Sequence, residues 1–307
     1  MPDLDRDTLW RLLGWPDGPP RFGNARVTDS QESGSIVIET MAVETPSGPV
    51  PATLCRPAAH AVPLPGILYC HAHGGRYDIG RRELLHGRDA LIDPPYGPLL
   101  AARGFVVLCL DMAGFGDRQA EGTESALSKA ALWNGQPLFG LMLADLSAGL
   151  DALAARPDVD PDRIAAFGIS MGATHAYWLA ALDDRVAAVA HLCAFSDIAG
   201  LIAAGGHDRH GHYMTVPGLL RQGDMGDVAA LIAPRPHLVA SGALDALTPP
   251  EALEPALARL RAAYCAAGAR DRLLVFTSPD TGHAETPAMR AAVLAFLDTF
   301  ANGDGVD

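Results

Sequence analysis

The five residues Gly168-Ile169-Ser170-Met171-Gly172 constrain this chain more than any other stretch. They follow a short apolar run, 163–167, and precede residues 173–182, whose composition predicts a helix. Glycines flanking a serine at a strand-to-helix turn let the backbone reverse sharply. The hydroxyl then projects from the sheet edge, where any larger flanking side chain would collide with the adjoining strand and helix. With 32 glycines in 307 residues, the bare pattern arises by chance in roughly one such chain in ten. The strand–turn–helix setting therefore carries the weight. The competing reading of Ser170 is a plain helix N-cap, which needs no flanking glycines.

Around this turn the chain alternates two periodicities. Apolar runs at 66–70, 105–110, 164–167, 186–193, 237–241 and 273–277 read as buried strands. Helices are expected at 96–102, 138–155, 251–266 and 287–300, the second with Leu138, Leu141, Met142, Leu146, Leu150 and Leu153 on one stripe. Residues 35–44 and 50–56, joined by Pro46-Ser47-Gly48, read as an antiparallel hairpin. The expected fold is α/β: a mostly parallel central sheet with an antiparallel N-terminal edge and helices on both faces. The division predicted is a polar N-terminal extension, 1–34, with one short helix at 7–13, and a single domain, 35–307. Residues 201–233 interrupt the alternation with a Gly- and His-rich stretch, and 197–232 is the expected lid segment.

Composition excludes several classes. A chain 49% hydrophobic and 19% charged is globular rather than disordered, and a net charge of −13 is unsuited to binding nucleic acid. The one dense basic group, Arg76, Arg81, Arg82 and Arg88, is interleaved with acids and reads as a solvated surface. No apolar run reaches the ~18 residues of a membrane span, and the acidic start Met1-Pro2-Asp3-Leu4-Asp5 does not resemble a secretion signal. Five cysteines (55, 70, 109, 193, 265) contain no C-x-x-C pair and read as reduced thiols. A cytoplasmic protein without membrane or nucleic-acid partners is expected. A homo-oligomer is compatible with the sequence.

An unassisted serine hydroxyl is a poor nucleophile at neutral pH and needs a base, itself oriented by an acid. In the order Ser…Asp…His, acid and base should lie just beyond later strands. Asp245 follows the 237–241 strand and His283 follows the 273–277 strand. Asp197, after the preceding strand, is the rival acid. Two backbone N–H groups must receive the oxyanion. One is expected from Met171, the other from the loop His71-Ala72-His73-Gly74-Gly75, at His73 with His71 and Gly74 as alternatives. His71, Gly74, Trp133, His191 and His212 are expected to line a substrate pocket, although the core-like patterns around His191 and Trp178 favour plain packing and packing suits Trp133 at least as well. The run His207-Asp-Arg-His210-Gly-His212 has a spacing that could hold a metal, but no partner carboxylate or cysteine is evident. A flexible loop near the pocket is the preferred reading, with no metal and no cofactor.

His-x-His-Gly-Gly at 71–75, Asp111-Met-Ala-Gly-Phe-Gly-Asp117, Asp160-x-Asp-Arg-Ile164, the serine turn and Ala233-Pro-Arg-Pro236 together carry a resemblance. The chain resembles serine hydrolases of the α/β-hydrolase fold, in the dienelactone-hydrolase and acetyl-xylan-esterase-like branch, over about 35–300. True dienelactone hydrolases of this kind use cysteine; Ser170 shifts the implied substrate towards ordinary small-molecule carboxylic esters. The resemblance implies an esterase acting through an acyl-enzyme. Two alternatives remain: a peptidase or amidase like the prolyl-oligopeptidase catalytic domain, and a non-catalytic binding protein on the same fold.

Overall fold

The computed structural model describes residues 4–303; residues 1–3 of the expected extension and 304–307 of the expected domain lie outside them. The chain opens with α1 (Arg6–Leu12), then β1 (Ala25–Ser33), β2 (Ile36–Thr45), β3 (Gly48–Pro57) and β4 (Leu64–Cys70). After α2 (Glu83–His86), α3 (Tyr96–Ala101) and β5 (Val106–Leu110) come α4 (Glu124–Trp133), α5 (Leu138–Ala154), β6 (Val159–Ile169) and α6 (Met171–Leu182). The remainder is β7 (Val186–Leu192), α7 (Ile198–Ala203), α8 (Met225–Ala230), β8 (His237–Gly242), α9 (Pro250–Ala266), β9 (Leu273–Ser278) and α10 (Pro287–Asn302). One nine-stranded sheet runs β1-β2-β3-β5-β4-β6-β7-β8-β9. The pairs from β1 to β5 through β3 are antiparallel and those from β5 to β9 are parallel.

The period of two along each strand sorts the interior into two layers. Leu68, Leu108, Ile164, Ala166, Val189 and Val239 face the layer of α1, α5, α6, α8 and α9. Their neighbours Ile67, Tyr69, Val107, Ala165, Phe167, Ala190 and Leu238 face the layer of α3 and α10. Every residue of α6 is buried, as its apolar circumference requires of a helix pressed onto a sheet.

Residues 4–34 are not a polar appendage. Leu9 and Trp10 of α1 enter the main core, and β1 hydrogen-bonds along β2 from Ala25↔Val43 to Ser33↔Ile36. Every side chain of β1 is exposed, so Ala-Arg-Val-Thr-Asp-Ser-Gln-Glu-Ser has no apolar alternation to betray it. Backbone pairing makes the strand, helped by the Thr28 hydroxyl, which donates to the Thr40 carbonyl at 3.0 Å. Helix α4 also went unread, because its stripe is short and its last residue, Trp133, is 92% exposed.

His191 lies inside the core on β7, with Nε2 2.8 Å from His237 Nε2 on β8. Tyr177, Phe195 and Tyr264 surround the pair, and neither Nδ1 finds a partner. His191 therefore lines no pocket. Burial pushes its pKa down to about 3, and that of His237 well below its ordinary 6.5 through burial, His191 and Arg235. Each ring stays neutral in the folded chain at pH values where an unfolded chain takes up a proton. Its contribution to stability is complete above about pH 6.5 and is lost as the pH falls towards the folded-state value. Urea unfolding at pH 7 and pH 5 checks this. His237→Leu should lose about 2 kcal/mol less than the parent on that acidification, whatever its stability at pH 7. Parallel losses would show that the ring does not titrate with unfolding.

Candidate active site

Ser170 sits between β6 and α6 with φ 58° and ψ −122°, a left-handed conformation rare for a side chain with a Cβ. Its neighbours permit it. A Cβ on Gly168 would lie 2.5 Å from the Cys70 carbonyl oxygen, and one on Gly172 only 1.9 Å from it. The start of α6 thus lies against the end of β4 with room for hydrogen alone. Ser170 N–H donates to the Leu192 carbonyl at 2.9 Å, which holds the turn to β7 and leaves the hydroxyl free of the backbone.

Two loops bring the other side chains to it. His283, beyond β9, has Nε2 2.8 Å from Ser170 Oγ. Its Nδ1 is 2.7 Å from Oδ2 of Asp245, beyond β8. The Asp245 side chain is wholly buried, and its Oδ1 accepts the Leu247 N–H at 2.9 Å. A carboxylate so fixed holds the Nδ1–H tautomer and leaves Nε2 as a base facing the hydroxyl. Asp197, the rival acid, is spent elsewhere: it accepts the Gly226 N–H at 2.9 Å and pairs with Arg259, joining α8 to α9. Burial raises its pKa to about 6.

Met171 is the first residue of α6, so its N–H has no carbonyl from a preceding helical turn. In the 71–75 loop, Ala72 N–H is taken by the Glu83 carboxylate at 3.0 Å and Gly75 N–H by His73 Nδ1 at 3.0 Å. The N–H groups of His73 and Gly74, between them, have no protein acceptor among the described residues. His71 is fully buried. Its Nε2 accepts the Met112 N–H at 3.0 Å and its Nδ1 lies 3.0 Å from Ala72 O, so the ring ties β4 to the end of β5 rather than lining a pocket. Burial lowers its pKa to about 3.

Gly74 lies with Ser170, His283, Ala72, Ile79 and Ala90 around a small cavity of about 110 Å³. A larger cavity of about 690 Å³ borders His73, Tyr77, Glu124, Arg209, His210 and His212. A third, about 490 Å³ and mostly apolar, lies under residues 198–221 and shares His210 and His212 with the second. His212 therefore does line cavities, while Trp133 and His191 line none of these. His207, His210 and His212 are not gathered into a ligand set, and among the described residues no cluster of metal-binding side chains occurs. His210 Nε2 instead meets the Leu247 carbonyl at 2.9 Å, beside the Asp245 loop.

Buried ion pairs that local patterning did not reveal brace these loops. Glu83 receives the Tyr69 hydroxyl at 2.6 Å and pairs with Arg88, whose second nitrogen donates to Ala72 O at 2.9 Å. Arg81 is buried against Asp111 and Asp117. The basic group at 76–88 is thus only half a solvated surface, Arg76 and Arg82 being exposed and Arg81 and Arg88 holding the loop. Glu285, two residues past His283, takes Ile92 N–H at 3.0 Å, the Tyr96 hydroxyl, and Arg290 at 2.6 Å. Tyr96 is 189 residues from Glu285 in sequence, a separation that periodicity does not reach.

Strand order, serine turn and the positions of acid and base define an α/β-hydrolase fold. Residues 97–303 match the prolyl oligopeptidase family, and the chain belongs to that family. It is 38% identical over 295 residues to "Putative hydrolase YtaP" of Bacillus subtilis (strain 168), covering 95% of this chain and 97% of that one. Two solved structures share the fold. Acetyl xylan esterase 1 from Thermoanaerobacterium sp. has TM-score 0.69 and 17% identity, over 97% of this chain and 94% of that one. A glucuronoyl esterase from Solibacter usitatus has TM-score 0.69 and 16% identity, over 96% and 91%.

The contact at Gly172 gives a direct check. Gly172→Ala places a methyl 1.9 Å from a backbone oxygen that cannot swing aside. It should cost more than about 3 kcal/mol in urea unfolding, or prevent soluble expression. A variant of native stability would mean that helix and strand are not in contact.

Proposed function

We propose that the protein is a serine hydrolase cleaving small-molecule carboxylic esters through an acyl-enzyme. The observation that carries this reading is the continuous chain Asp245–His283–Ser170, with links of 2.7 and 2.8 Å, ending on a serine of positive φ. In the first half-reaction His283 Nε2 takes the Ser170 proton as Oγ attacks the ester carbonyl, and Asp245 steadies the imidazolium. The oxyanion is received by the N–H groups of Met171 and His73. His283 then hands its proton to the departing alcohol. Water, deprotonated by the same ring, attacks the acyl carbonyl and releases the acid and Ser170.

The cavity of about 110 Å³ beside Ser170 suits a short acyl group, and the larger cavity at His73 suits the alcohol. The esterase names of the structural neighbours favour ester over amide. The competing reading, an aminoacyl amidase, is favoured by the family's name. We read 35–307 as the hydrolase domain with 197–232 as its lid. A cytoplasmic location is the reading that fits five free cysteines, four of them buried. Among the described residues no single helix is long and apolar enough to cross a membrane.

Hydrolysis of p-nitrophenyl acetate by the wild type should fall at least ~10⁴-fold in Ser170→Ala and about 10⁴-fold in Asp245→Asn, with unfolding midpoints unchanged. A fluorophosphonate probe should label the wild type at Ser170 alone. Retained turnover in Ser170→Ala rules out the assignment. Faster release of p-nitroaniline from aminoacyl anilides than of p-nitrophenol from matched esters would favour the amidase.

A further inference from the structure

The reading of Ser170 as nucleophile gives the His73 backbone a role but leaves its side chain without one. That side chain is held at both nitrogens. Gly75 N–H donates to Nδ1 at 3.0 Å, so Nδ1 carries no proton and the ring is the Nε2–H tautomer. Nε2 in turn meets Oε2 of Glu124 at 2.5 Å. Phe115 and Tyr77 stand edge-on to the ring at 5.2 and 4.9 Å. Rotation of the imidazole would break both hydrogen bonds, so its orientation fixes the His73 backbone on which the oxyanion donor sits.

Glu124 is nearly fully buried in the first turn of α4, where the helix dipole favours a carboxylate. Burial alone would raise its pKa, but His73, Tyr213 N–H and the Tyr77 hydroxyl hold it below the ordinary value. Oε2 also accepts the Tyr77 hydroxyl at 3.0 Å. Oε1 accepts the backbone N–H of Tyr213, from the 197–232 segment, at 3.0 Å. One carboxylate thus joins the 71–75 loop to the 197–232 segment.

We propose that Glu124 is a positioning residue for the oxyanion hole, holding the His73 ring in its Nε2–H form and tying the placement of the His73 N–H to the seating of the 197–232 segment. This rests on the assignment of Ser170 and His73 under Proposed function. An amide at 124 cannot replace the carboxylate fully: its oxygen can meet either His73 Nε2–H or Tyr213 N–H, but its NH₂ then faces the other donor. The carboxylate alone accepts from both sides.

The test is a double-mutant cycle on the full chain with p-nitrophenyl acetate, alongside thermal unfolding and fluorophosphonate labelling of Ser170. Glu124→Ala should lower kcat about 10- to 100-fold with KM changed less than about threefold, because a misplaced oxyanion donor weakens the transition state more than the bound ester. His73→Ala keeps its backbone N–H and should lose a similar amount. The double variant should be no worse than His73→Ala alone, and Glu124→Gln should fall between wild type and Glu124→Ala. A kcat within twofold of wild type, a loss confined to KM, or additive losses in the double variant would overturn the proposal. If Glu124→Ala does not fold, Glu124→Gln decides: a lower kcat at constant KM supports it and an unchanged kcat overturns it. Absence of labelling in the wild type would instead sink the Ser170 assignment, independently of Glu124.

Discussion

The contact between the start of α6 and the Cys70 carbonyl governs the rest of the molecule. Because Gly168 and Gly172 bring no Cβ into it, α6 lies close enough to β4 for the intervening residue to take a strained, left-handed turn. The turn aims Ser170 Oγ outward and the Met171 N–H towards the same space. It also puts both beside the 71–75 loop, which leaves the very strand whose carbonyl is touched. Ser170 Oγ and the Met171 N–H are thereby placed by one packing constraint in the core, and the loops around them supply the rest.

Those loops are made firm by buried carboxylates. Glu83 pins the Ala72 N–H, Glu285 pins the stretch that carries His283, and Glu124 spans the gap to Tyr213. Each accepts several donors, so removing one would strand buried polar groups as well as a charge. Asp245 plays the same part for the imidazole itself. The site is a set of N–H and O–H donors organised around four buried carboxyl groups.

What the sequence disclosed was whatever depends on local pattern. The buried parallel strands are short apolar runs, the turn at Ser170 is marked by its glycines, and Asp245 and His283 each follow an apolar strand later in the chain. The features that escaped depend on partners distant in sequence or on backbone alone. Strand β1 buries no side chain, so hydrophobic periodicity had nothing to detect. Glu285 meets Tyr96, and Glu124 meets His73 and Tyr213, across separations at which spacing carries no information. Residue type alone does not decide between pocket and packing for His191 and Trp133: pairing with His237 takes one inward, and the end of α4 turns the other out to water.

The polar character of β1 has a consequence for the protein in a crowded solution. As the outermost strand it leaves one row of backbone donors and acceptors without a neighbour among the described residues, the kind of template on which foreign chains can add. Arg26, Asp29 and Glu32 stand along that strand, and a stranger laying down a matching strand would have to dehydrate these charges with little more than Val27 as greasy surface in return. The sheet can stay open at this margin and still discourage fibrous growth.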